Sequence, residues 1–128
     1  MGADRAQRVV ALQGALLTAA RDFGDVPAFR AQADRIMATA AALDYVLMLA
    51  RGAAGTRIAE RDAERAMHEG IARAVDDLIV AASAIARTGT PEATAYAHEA
   101  AKALRDALAA ESMRTDERAF AVIALANV

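Results

Sequence analysis

Residues 29–50 read FRAQADRIMATAAALDYVLMLA, and the spacing of their apolar side chains decides the fold class. Apolar residues recur at alternating steps of four and three positions, at Phe29, Ala33, Ile36, Ala40, Leu43, Leu47 and Ala50. This alternation keeps them on one face of a helix and is typical of the buried seam between packed helices. The segment therefore predicts one long helix, helix B, which begins at Pro27 and ends at Arg51 before Gly52.

The rest of the chain predicts four more helices, because caps, glycines and prolines divide it into alanine-rich segments and no β-branched run lies between turn residues. Helix A runs from Asp4 to Gly24, helix C from its cap Thr56 to Arg87, helix D from its cap Thr90 to Glu111, and a short helix E begins at Thr115. The apolar side chains that we expect to face the core from helices A and C are Val9, Leu12, Leu16, Ala20, Phe23, Ile71, Val75, Leu78, Ala82 and Ile85. The sequence thus predicts an all-α protein.

The connections between these helices are short, which places consecutive helices side by side and antiparallel. We expect residues 1–128 to form a single domain. The predicted architecture is an up-down-up-down four-helix bundle with a short fifth C-terminal helix.

The composition indicates a thin hydrophobic core. Alanine accounts for 38 of the 128 residues, whereas Ile, Leu, Val and Phe together account for 27, so large apolar side chains are scarce. Helix D is the weakest element, because Leu104 and Leu108 are its only large aliphatic residues and the rest of its apolar face is Tyr96 and alanine. Each alanine buries little area and stabilises little. A bundle of this kind is expected to need a partner.

Self-association is the predicted partnership, most simply as a dimer through helices D and E. The chain ends with the apolar residues Phe120, Val122, Ile123, Leu125 and Val128, which a second copy could cover. Helix E folding back over the open end of its own bundle is an equal alternative, and a helical protein partner is a further one.

Several function classes are excluded by charge and composition. A net charge of -2 gives no positive field for nucleic acid, and the absence of cysteine removes disulfides, thiolate catalysis and thiolate metal sites. Asp4, Arg5, Gln7 and Arg8 interrupt any secretory apolar segment, and the sequence has no 18-residue apolar stretch that would predict a membrane helix, so a cytoplasmic location is expected. The composition is bacterial-like. With two histidines and no Glu-x-x-His motif, we expect no metal, no cofactor and no assembled catalytic residues.

Asp44 is the one charged residue between Ile36 and Ala50, and no basic residue of its own helix can reach it. We expect it to be largely buried and to accept a hydrogen bond from another helix, since an isolated carboxylate in an apolar interior is too costly. It is interpreted either as a ligand-binding group or as a structural residue, at the seam or at a partly wet edge of helix B.

His68 is the second candidate, because it continues the seam of helix C backward by three residues from Ile71. Glu64 lies one turn earlier on the same side, where a carboxylate can orient an imidazole. A structural reading makes this pair a boundary hydrogen bond; a functional reading makes it part of a site. His98 lies on the polar face of helix D, and we expect it to be exposed.

These observations favour a non-enzymatic helical bundle that acts through protein association. The alternative is a small ligand-binding or enzymatic bundle with a pocket between helices B and C, in which Asp44, His68 and Glu64 are the polar groups.

Overall fold

The computed structural model describes residues 2–52, 57–111 and 122–123. In these residues the chain forms five helices and no strand, as the all-α prediction requires. The helices are α1 (Gly2–Asp22), α2 (Pro27–Arg30), α3 (Ala33–Gly52), α4 (Arg57–Ala86) and α5 (Pro91–Ala110). None of the described helices is long and apolar enough to cross a membrane.

The four long helices enclose one apolar core. Helix α1 packs against α3, α4 and α5, and α4 also packs against α3, α5 and the short α2. Tyr96 of α5 packs against α1 and the residues that follow it. Its hydroxyl donates to the carbonyl oxygen of Ala15 at 3.0 Å, and its ring lies 5.3 Å from that of Phe23. Burial raises the pKa of Tyr96, so the hydroxyl keeps its proton and its hydrogen bond across the ordinary pH range.

The predicted helix B is divided into α2 and α3. The backbone N–H of Gln32 donates to the carbonyl oxygen of Phe29, three residues back instead of four, and this tighter turn separates the two helices. Phe29 is fully buried, and its helix packs against α4. The seam itself is confirmed at Ile36, Ala40, Leu43 and Leu47, all buried.

The predicted ends of α4 and α5 are confirmed. Gly89 has φ of +71°, a left-handed conformation that glycine adopts without strain, and the hydroxyl oxygen of Thr90 accepts from the N–H of Ala93 at 3.0 Å. The predicted core faces of helices A and C are also found. Among them Val9, Leu12, Leu16, Ile71, Val75, Leu78, Ala82 and Ile85 are buried, whereas Ala20 and Phe23 are half-buried.

The apolar face of α5 lies inside the protein. Its buried residues are Ala93, Tyr96, Ala97, Ala100, Ala101, Ala103, Leu104, Ala107 and Leu108. Of helix E, the described residues are Val122 and Ile123; Val122 is 1% exposed within the core of its own chain, and Ile123 packs against that core. The predicted start at Thr115 lies outside the described residues. Of the large apolar side chains described in helices D and E, Tyr96, Leu104, Leu108 and Val122 are therefore covered by this chain, and Ile123 is half-buried.

Candidate functional site

Asp44 is exposed, so the expectation that it is buried is wrong. It follows the seam residue Leu43 and therefore points toward the outer edge of α3, beside α1. The expected donor from another helix is confirmed: Nε2 of Gln13 on α1 donates to Oδ1 of Asp44 at 2.7 Å and to the carbonyl oxygen of Ala40 at 2.8 Å. Asp44 thus matches the partly wet edge position and fixes α1 against α3.

His68 and Glu64 are both exposed and bind different partners. Nδ1 of His68 lies 3.1 Å from Oε2 of Glu111, at the end of α5, whereas Oε1 of Glu64 lies 2.5 Å from Nη1 of Arg5 on α1. The expected pairing of His68 with Glu64 is therefore replaced by contacts to other helices. Asp44 has its own partner on α1, and the described contacts do not bring the three predicted residues into one site. His98 is exposed, as predicted.

Arg5, Glu64, His68 and Glu111 form an ionic cluster with Glu111 at its centre. Its side chain is 6% exposed and accepts two hydrogen bonds of 2.8 Å from Nε and Nη2 of Arg5, a bidentate pair. Burial by itself would raise the pKa of Glu111, but the hydrogen bonds and charges of Arg5 and His68 outweigh it and lower that pKa. The cluster joins α1, α4 and the end of α5, and the sequence could not indicate it because its members lie far apart in the chain.

We expect Glu111→Gln to lower the free energy of unfolding by about 1 kcal/mol at neutral pH, since the pairs that it breaks are partly exposed. A carboxyl group whose folded-state pKa is lowered stabilises above its unfolded pKa and loses that contribution as the pH falls through the lowered value. Urea titrations should therefore show the difference between the two proteins shrinking on acidification. The exposed Glu69→Gln is the control; an equal and pH-independent loss in both variants would contradict this account.

Asp77 is a buried charged residue that sequence reasoning missed. Its side chain is 3% exposed, accepts a short hydrogen bond from the Thr39 hydroxyl, and lies 3.0 Å from Nη2 of Arg35. Both partners belong to α3, one turn apart, so they hold one carboxylate of α4 at two points. The position of Asp77 beside the seam residue Leu78 did not indicate burial, since Asp44 lies beside Leu43 in the same way and is exposed. The arrangement fixes the register of α3 against α4.

Three open clefts lie between the described helices. The cleft between α3 and α4 has a volume of about 190 Å³ and includes Thr39, Tyr45 and Gly70, but neither Asp44 nor His68. A cleft of about 510 Å³ lies between α1 and α5 beside Arg8, whose buried Nε has no hydrogen-bond partner among the described residues. The third, of about 490 Å³, lies between α1 and α3. Its lining is Leu17, Ala20, Arg21, Ala33, Asp34 and Met37.

Large apolar side chains are exposed on the same two helices that form this third cleft. Val10 is 53% exposed and Leu17 37% on α1, while Met37 is 48% exposed and Met48 58% on α3. We call this surface the α1/α3 face. It consists of Val10, Gln13, Gly14, Leu17, Met37, Ala41, Asp44 and Met48.

The spacing of exposed apolar residues in the sequence also indicates the α1/α3 face. Val10 and Leu17 are seven residues apart, two helical turns, and Met37 and Met48 are eleven apart, three turns. Methionine often fills gaps in a core, as Met67 does here, but Met37 and Met48 are exposed. Each pair forms a second apolar line on a helix that already has a buried one.

The described residues contain no group of three or more histidine, aspartate or glutamate side chains that could hold a metal ion. Comparison with protein-family models, with curated proteins and with solved structures gives no match for this chain.

Proposed function

We propose that this protein is a non-enzymatic helical bundle that acts by self-association, and that the α1/α3 face is its contact surface. The observation that carries the proposal is the cluster of four large exposed apolar side chains on two adjacent helices, Val10, Leu17, Met37 and Met48. Single exposed apolar residues are ordinary on protein surfaces, whereas several on one face are typical of interaction sites. Two of these four, Leu17 and Met37, also line the cleft between α1 and α3. The proposal includes an up-down-up-down arrangement of the four long helices and the expected cytoplasmic location.

The α1/α3 face has the composition of an interface core. Apart from Asp44 and Gln13, which satisfy each other, the face is formed by aliphatic, methionine, glycine and alanine side chains. Methionine adapts its shape to an opposing surface, and removing apolar area from water stabilises an interface by about 25 cal/mol per Å². Burial of this face in a dimer would supply apolar area that the alanine-rich core lacks.

The competing contact surface is the one predicted from the sequence, on helices D and E. The large aliphatic side chains described in that region are mostly buried in their own chain, with Leu104, Leu108 and Val122 nearly inaccessible and Ile123 half-buried. The alternative of a ligand-binding or enzymatic bundle needs Asp44, His68 and Glu64 in one pocket. Glu64 and His68 are linked through Arg5 and Glu111. Asp44 contacts Gln13 instead, so among the described residues no contact brings all three together.

A variant with two charges on the face tests the proposal. Leu17→Glu combined with Met37→Glu places four carboxylates in a dimer interface, and we expect the dimer dissociation constant to rise by more than about 100-fold. Circular dichroism should show an intact helical monomer, because both side chains are substantially exposed before the change. Sedimentation velocity over a micromolar concentration series measures the effect.

The matched control is Ala95→Glu, on the exposed side of α5. It should leave the dissociation constant unchanged. Dissociation caused by Ala95→Glu and not by the double variant would place the contact on the α5 side and contradict the proposed face.

A further inference from the structure

We infer that the occupant of the α1/α3 face is a second copy related by a two-fold axis along the α1–α3 groove, so that Arg21 of each copy faces Asp34 of the other. This inference rests on the proposed self-association and adds its geometry. In such a dimer α1 packs over α3 of the partner subunit, and the interface uses the same surface twice.

The pairing of residues across the α1–α3 groove supports this axis. Gln13 contacts Ala40 and Asp44 near the middle of the groove, and Leu17 shares the cleft with Met37 toward one end. Residue numbers therefore rise along α1 as they fall along α3. A rotation about the groove exchanges the two helices and keeps each level, so Leu17 comes to face Met37 of the partner subunit. The apolar side chains of the face then meet one another.

The charges at one end of the groove distinguish this arrangement from other two-fold dimers. Arg21 on α1 and Asp34 on α3 line the same cleft from its two sides. Exchange of α1 with α3 therefore brings each Arg21 to Asp34 of the partner subunit, giving two reciprocal ion pairs. An axis perpendicular to the groove would instead stack α1 on α1 of the partner subunit and send Arg21 to the opposite end.

Both charged groups can accept this new contact. Arg21 is exposed and pairs with its chain neighbour Asp22, from Nε to Oδ1 at 3.2 Å. A guanidinium has five N–H donors, so this neighbour leaves others for a second carboxylate. Asp34 is exposed and forms no ion pair with any other described residue.

The centre of the face allows close approach of the two backbones. A Cβ atom added to Gly14 would meet nothing within 4 Å, and Ala41 on the facing side of the groove is exposed. Two helices of about 20 residues present a face of roughly 30 Å by 20 Å, so two copies would bury roughly 1,200 Å² in total. This area is at the lower end of the range for stable specific interfaces.

A charge-exchange experiment tests the geometry. Arg21→Asp and Asp34→Arg each replace two attractive pairs with two repulsive ones, and each should raise the dimer dissociation constant by about tenfold. The double variant restores opposite charges in exchanged positions and should return the constant to within about twofold of the original. Higher salt should reduce the effect of both single variants, because the pairs are at the rim.

Lys102→Asp, a charge reversal on the exposed side of α5, is the control and should leave the dimer dissociation constant unchanged. The Arg21–Asp34 geometry would be overturned if the double variant dimerised as weakly as the two single effects added together, or if the single variants left the dissociation constant unchanged. Self-association itself would stand in both cases. A wild-type protein that remains monomeric would instead overturn the proposed function, and this inference with it.

Discussion

Phe29→Ala is expected to lower the free energy of unfolding by about 3–5 kcal/mol. Phe29 is among the largest fully buried side chains, and it comes from the four-residue helix α2. Its removal leaves a cavity beneath a helix too short to be stable without this anchor. Urea denaturation measures the loss, in the Leu17→Glu/Met37→Glu background so that dimer dissociation does not contribute.

Tyr45→Ala is the matched control for this change, because Tyr45 is an aromatic residue of α3 that is mostly exposed. Its removal should change the free energy of unfolding by less than about 0.5 kcal/mol. Equal effects of the two substitutions would show that α2 is not anchored in the core.

Asp77→Ala should lower the free energy of unfolding by about 2 kcal/mol, the second largest effect on folding stability that we expect. The substitution removes a hydrogen bond to a charged group and leaves the Thr39 hydroxyl, itself buried, without its acceptor. Arg35 is largely exposed and returns to water, which limits the loss.

The neighbouring Asp76→Ala removes the same side chain from an exposed position of α4 and should cost less than about 0.5 kcal/mol. The comparison is measured by urea denaturation in the same monomeric background. An Asp77→Ala protein as stable as Asp76→Ala would mean that the contact with Thr39 and Arg35 contributes nothing to folding.

The helices of this protein could be predicted because each one carries its own local signals. Thr90 and Gly89 mark the start of α5 and the end of α4, and the seam of α4 is buried as its spacing indicates. The division between α2 and α3 could not be predicted in this way. No glycine or proline marks it, and the tighter turn at Gln32 goes with the burial of Phe29 against α4, a tertiary contact.

The polar contacts were harder to predict, because each one depends on which helices are neighbours. Asp44 was recognised as unusual, but its exposure depends on which side of the seam faces α1. His68 was paired with the carboxylate one turn away, whereas the structure brings Glu111 from the end of α5. Asp77 could not be distinguished by sequence from the other charged residues of α4, although it is buried.

The proposed contact surface includes a helix, α1, that has two separate lines of apolar residues. One line of α1 contains Leu12 and Leu16 and is buried; the other contains Val10 and Leu17 and is exposed. The core needs only the first. The second line stays partly exposed in a single chain, and the proposed second copy would cover it.

Sedimentation velocity of the unmodified protein, from about 1 to 100 μM, tests the central claim most directly. We predict a species of twice the 13.4 kDa chain mass that gives way to the single chain on dilution. A single 13.4 kDa species over the whole range would contradict self-association through the α1/α3 face.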